Sequence, residues 1–217
     1  MRIIAISDVH DDLTKLTLLA QREAGADLLL VSGDLTHYGG MTRFRETMGA
    51  FDGVFPRVLA VPGNMDRPEV TGVLEEGGTG LHGRHEIIGD VGFAGIGASP
   101  PTPFGTPFEL SEEEIGEAFA AAAARVAACP VRVFVSHAPP RGTALDRVRL
   151  GLHVGSRAVR AVVERFAPDV LVCGHIHEAA GTDRLGRTQM VNPGPFARGG
   201  YVRILTGPPV TAEWCRL

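Results

Sequence analysis

Met1-Arg2-Ile3-Ile4-Ala5-Ile6-Ser7-Asp8-Val9-His10 opens the chain, and its reading decides the fold. Ile3 to Ile6 is an unbroken apolar run rich in β-branched residues, which marks a strand buried on both faces. The run stops at once in a serine, a carboxylate and an imidazole. The same phrase recurs four times. Leu28 to Val31 ends in Ser32-Gly33-Asp34, Val58 to Val61 in Pro62-Gly63-Asn64-Met65-Asp66, Val131 to Val135 in Ser136-His137, and Val170 to Val172 in Cys173-Gly174-His175-Ile176-His177. Helical spacing fills the intervals at Leu13 to Ala24, Met41 to Phe51, Ser111 to Ala128 and Gly155 to Phe166, with Ser111 and Glu114 spaced as a capping box. This alternation predicts βαβ units and a largely buried sheet. The region Leu81 to Ala94 and the tail Thr182 to Leu217 read as strands with tight turns, through runs such as Gly92 to Ile96, Thr188 to Val191, Tyr201 to Leu205 and Val210 to Trp214. The expectation is one mixed α/β sandwich domain over residues 1–217, with Ser99 to Phe108 as a long structured loop.

Composition narrows the function classes. The 217 residues are 44% hydrophobic and 21% charged, enough for a sizeable core. With 25 acidic against 21 basic side chains, the net charge of -4 offers no general attraction to nucleic acid or an anionic bilayer. Cys129, Cys173 and Cys215 are odd in number and form no CxxC pair, which fits a reducing cytoplasm. The first apolar run is too short for a signal segment, and the longest tract, Ala118 to Ala128, is broken by Arg125, so no membrane span is expected.

In open α/β sheets ligands bind beyond the carboxyl ends of the strands, and here every such end carries a metal-competent donor. Each block alone has a plainer explanation. A Gly-Asp after a strand is usually a turn or a cap, and Asn64 after Gly63 suits a left-handed turn. Turn chemistry does not explain five donor-bearing ends at one edge. Two carboxylates, one amide and four histidines exceed what one cation uses, since a catalytic ion usually takes three or four protein donors. Two ions sharing a carboxylate use the whole set, and such a pair can generate a hydroxide and neutralise phosphate oxygens.

The ordered blocks Asp-x-His, Gly-Asp, Gly-Asn-x-Asp, His and Gly-His-x-His, spread over residues 8 to 177, resemble the calcineurin-like metallophosphoesterase superfamily. The resemblance implies a four-layer α/β/β/α sandwich and extends through Asn192-Pro193-Gly194. It implies that Asp8, His10 and His177 hold one divalent ion, that Asn64, His137 and His175 hold a second, and that Asp34 bridges them. Asp34, Asn64 and His137 are then the residues at the reacting phosphate. Ser7, Asp66 and Ser136 are candidates to hold the second nitrogens of the imidazoles. Imidazole and carboxylate together suit Mn, Fe and Zn, with Mn(II) or a mixed Fe/Zn pair expected. Many family members have His where this chain has Met65, a residue that can neither protonate nor stabilise a leaving oxygen. A small phosphodiester is therefore the expected substrate; a nuclease and a non-catalytic scaffold are the rival readings.

His37, three residues after Asp34, and His153, ahead of a helix that Ser156 would cap, are expected to line the substrate pocket. The basic excess from Arg141 to Arg165 reads as a solvated face, and Arg198 as a weak phosphate clamp. His82 and His85 are expected on the surface, and Trp214 in tail packing. A homodimer through an edge strand or the C-terminal hairpins is an open expectation.

Overall fold

The computed structural model describes all 217 residues. Strands β1 (Arg2–Ile6), β2 (Leu28–Ser32) and β3 (Val58–Val61) run parallel, with Ile3 beside Leu28 and Leu29 beside Val58. Antiparallel β10 (Gly200–Leu205) and β11 (Thr211–Arg216) extend this sheet in the order β11-β10-β1-β2-β3. The second sheet contains β4 (Arg84–Ile88), β5 (Val91–Ile96), β6 (Val131–Ser136), β7 (Val170–Val172), β9 (Thr188–Asn192) and β8 (Gly181–Leu185), in that spatial order. Its four inner strands are parallel and its edges are antiparallel hairpins.

The period-two alternation of side chains distributes each apolar run between two cores. Ile3, Ala5, Leu28 and Leu30 face Val133, Val135, Val170 and Val172 between the sheets. Ile4, Ile6, Leu29 and Val31 face outward, onto α1 (Leu16–Arg22), α2 (Met41–Gly49) and α3 (Val70–Glu76). On the far side, Phe134 and Leu171 pack on α4 (Glu112–Arg125) and α5 (Arg157–Phe166). The result is the four-layer α/β/β/α sandwich, and it explains why the central strands read as continuous apolar runs.

The caps read from sequence are present. The Ser111 hydroxyl accepts from Glu114 N while the Glu114 carboxylate accepts from Ser111 N, and Ser156 accepts from Val159 N. Other boundaries differ. α1 begins at Leu16 rather than Leu13 because Asp12 accepts from the backbone and hydroxyl of Thr14, a local turn that competes with the helix. α3 was not expected, although Val70, Val73 and Leu74 have helical spacing; Gly72, Gly77 and Gly78 obscured it. β4 and β8 lack apolar runs because edge strands need none. The loop Ser99–Phe108 is structured as expected, with Glu109 accepting from Thr102 and Thr106. No helix is long and apolar enough to cross a membrane.

One buried charge group sits behind the first sheet. Glu23 is 3% exposed and accepts from the Tyr201 hydroxyl at 2.7 Å and the Arg203 guanidinium. Burial opposes its ionisation, but the Arg203 and Tyr201 hydrogen bonds prevail and hold its pKa down. Glu23→Ala removes the buried partner of the Arg203 guanidinium, which keeps only the exposed Glu213, and the expected loss is about 3 kcal/mol. Thermal unfolding should fall by roughly 6 to 12 °C, and an unchanged midpoint would show that Glu213 and solvent suffice for Arg203.

Candidate metal centre

The five strand ends deliver their donors to one cleft at the carboxyl edges of both sheets. Sharp turns at the strand ends aim them: Asp8, His10, Asp34 and His175 all have left-handed backbones, with φ of 52°, 47°, 49° and 66°. Asp and His tolerate this region better than most residues, and such strain persists where the surroundings over-determine it. Here backbone bonds do so, with Asp8 N donating to Gly33 O and His10 N to Asp34 O.

Asp8, His10, Asp34 and His177 offer donor atoms that all lie within 4.8 Å of one another. His10 Nε2 lies 3.2 Å from His177 Nε2, and His177 Nε2 lies 3.4 Å from Asp8 Oδ1. The remaining three candidates adjoin this group. His137 Nε2 is 2.9 Å from Asn64 Oδ1, and the His175 ring stands 5.1 Å from the His137 ring while its backbone N–H donates to Asp8. Asp34 connects the two halves: Oδ2 is 3.6 Å from His10 Nε2, and Oδ1 is 3.4 Å from His137 Nε2.

This donor set fits divalent cations. His137 Nδ1 donates to the Ser32 carbonyl at 2.8 Å, which leaves Nε2 with a lone pair aimed at the Asn64 amide oxygen, also an acceptor. Two acceptors at 2.9 Å need a proton or a cation between them. Protonation follows the same logic. Burial disfavours the His137 cation, yet the Asp34 and Asp8 carboxylates outweigh it and raise its pKa to about 9. His177 is raised by its hydrogen bond to Asp8. Burial resists ionisation of Asp8, but His177 and His137 hold it at about 2. His175 falls to about 4 through burial and the neighbouring His137 charge, and burial also lowers His10. The cluster therefore draws positive charge to itself, as protons or as metal ions that displace them.

Several supporting groups differ from expectation. Ser7 donates to the Ser32 carbonyl and Ser136 to the Ala138 carbonyl, and neither touches an imidazole. Asp66 instead accepts from Gly63 N, Leu35 N, Thr36 N and the Thr36 hydroxyl. It fastens the Asp34 and Asn64 loops together, and burial, reinforced by the Asp34 charge, lifts its pKa to about 6. The imidazole holder is the Ser32 backbone carbonyl, which no side-chain pattern reveals. Asn192, predicted only as part of a turn, donates to the Ile176 carbonyl and accepts from Gly194 N, pinning the His175–His177 loop.

His37 stands exposed at the cleft mouth, its ring 5.4 Å from that of His10. His153 is not brought to the donors. Its Nδ1 lies 2.7 Å from Asp146 Oδ1, and it lines a separate cavity of about 620 Å³ walled by Arg147, Glu178 and Asp183. Arg198 donates to the His177 carbonyl. His82 is half-buried rather than on the surface, because its Nδ1 accepts from Gly97 N and its ring lies against Phe108. The Trp214 indole donates to the Pro193 carbonyl at the inter-sheet core, as tail packing requires.

Residues 1–203 match the model of the Calcineurin-like phosphoesterase superfamily domain. An uncharacterized protein of Methanocaldococcus jannaschii is 37% identical over 200 residues, which are 90% of this chain and 88% of that protein. Among solved structures, a protein from Thermus thermophilus matches with a TM-score of 0.75 and 17% identity, covering 99% of this chain and 98% of that one. A dimetal phosphatase from Danio rerio matches with a TM-score of 0.67 and 12% identity, covering 100% and 98%. At such identities these two likenesses concern the fold. Strand-end donors gathered in one cleft of a four-layer sandwich, under a family match that spans nearly the whole sequence, mean that the chain belongs to the calcineurin-like phosphoesterase superfamily, which implies a phosphoric ester hydrolase.

Proposed function

We propose that this protein hydrolyses small phosphodiesters at a pair of divalent cations, with Asp8, His10 and His177 around one, Asn64, His137 and His175 around the other, and Asp34 shared. The splay of Asp34 carries this reading, since its two oxygens face different histidines. Bound cations would supply water of lowered pKa and neutralise phosphoryl oxygens. The chain's own contribution is position. His137 keeps one tautomer through Ser32, and Asn64 is held where its backbone carbonyl accepts from Phe108 N. His37 at the mouth is placed to meet the ester.

Met65 supports the diester preference. It contributes its backbone N–H to Asp34 Oδ1 at 2.8 Å, while its thioether can give no proton to a departing alkoxide. Leaving groups that depart without protonation suffer least. With Mn(II), bis(p-nitrophenyl) phosphate should be turned over faster than p-nitrophenyl phosphate, and alkyl monoesters, whose leaving oxygen needs a proton, should be slowest. Chelation should abolish both, metal analysis should find two ions per chain, and Met65→His should raise the monoester rate more. A clear monoester preference in the unaltered protein would overturn the diesterase assignment.

A further inference from the structure

Tyr38 packs edge-on against His37, whose ring in turn meets that of His10. Tyr38 is 52% exposed, and its hydroxyl has no hydrogen-bond partner among the side-chain bonds of the structure. Yet its backbone is strained, with φ at 55°, in a region costly for a bulky residue. The three preceding residues are anchored through their N–H groups: Leu35 and Thr36 to Asp66, and His37 to Asp11. Behind it the turn is tight, since a Cβ on Gly39 would collide with Thr36. Rings run from solvent inward in edge-to-face order: Tyr38 to His37 at 5.3 Å, His37 to His10 at 5.4 Å, and His10 to His177 at 5.2 Å.

We infer that Tyr38 is a stacking platform for a planar ring of the substrate, a nucleobase or an aryl group, and so a specificity-determining residue. The inference rests on the phosphoesterase reading and adds to it the chemistry of the esterified alcohol. An aromatic face kept open to solvent next to an anchored segment accepts a planar ring with little ordering cost, and base–aromatic stacking is sequence-tolerant. A bare sugar or alkyl group offers such a ledge no π face.

The test is calorimetric titration of the Mn(II)-loaded protein with adenosine 5′-monophosphate, phenyl phosphate and ribose 5-phosphate. The ring-bearing ligands should bind roughly tenfold more tightly than ribose 5-phosphate, in line with one stacked ring. Tyr38→Ala should erase that ratio, and Tyr38→Phe should restore it. A preference confined to adenosine 5′-monophosphate identifies a nucleobase; one shared with phenyl phosphate identifies any planar ring. Equal affinities in the unaltered protein, absence of binding by all three, or a Tyr38→Ala loss that falls equally on ribose 5-phosphate overturns the inference. Ring preference without ester hydrolysis sinks the hydrolase reading alone, and hydrolysis without ring preference sinks the ledge alone.

Discussion

Asp34→Ala lowers turnover of a phosphate ester about a thousandfold or more and strips metal from the purified protein. Losing a group that merely supports a ligand typically costs roughly 10- to 100-fold, and Asp34 turns one oxygen to an imidazole of each half of the cluster. Its removal also leaves His10 and His137 with less negative charge, and the Asp34 carboxylate is the leading cause that raises His137. That pKa should therefore fall in the variant. Steady-state rates with saturating Mn(II), metal analysis of the dialysed protein and histidine titration by nuclear magnetic resonance read the three effects. Activity within tenfold of the parent would place Asp34 outside the reacting centre.

Gly63→Ala is expected to approach the same loss without altering a ligand. A Cβ at this position would fall onto the Asp34 carboxylate and its backbone nitrogen, so the Asp34 loop must shift away from the Asn64 loop. Gly63 N also donates to Asp66 Oδ2 at 2.8 Å, the same carboxylate that holds Leu35 and Thr36. Displacements of about 1 Å at a reacting centre cost roughly 100-fold. We expect a loss of at least that size, together with weaker metal retention and far-ultraviolet dichroism unchanged. A variant that keeps both metal and rate would show that the two loops part without disturbing the donors. Gly174 is under the same constraint from Ser7 and Asp8, which makes it the natural companion.

Legibility differed between levels. Ile3 to Ile6 and the four runs like it were readable because strands buried on two faces have no polar positions to interrupt them. β4 and β8 fall in segments that read as strands, but no apolar run marks their bounds, since an edge strand answers to solvent on one side and keeps residues such as Arg84 and Arg184. α3 shows the opposite failure, a genuine periodicity hidden by glycines that packing tolerates. His82 went astray because its burial depends on Phe108 and Gly97, which are distant in the chain.

For the site, chemistry was legible and support was not. The seven candidate donors are visible in the sequence because a metal-competent side chain after every apolar run is itself a pattern. Asp66 was recognised as important but assigned the wrong partner, and Ser32 entered only through its carbonyl, an atom every residue has. His153 followed its helix cap correctly and still faced another cavity, since the path of the 142–153 loop is fixed by Asp146 and its backbone donors.

The chain's own order of residues determined the layered architecture and the identity of the donors, because burial periodicity and side-chain type are local properties. Which oxygen of Asp34 faces which histidine, which carbonyl fixes an imidazole, and which exposed ring stands at the cleft mouth were decided only by the tertiary structure. Some of those relations join loops more than a hundred residues apart, as His137 joins Ser32, and these exist only once both sheets have packed.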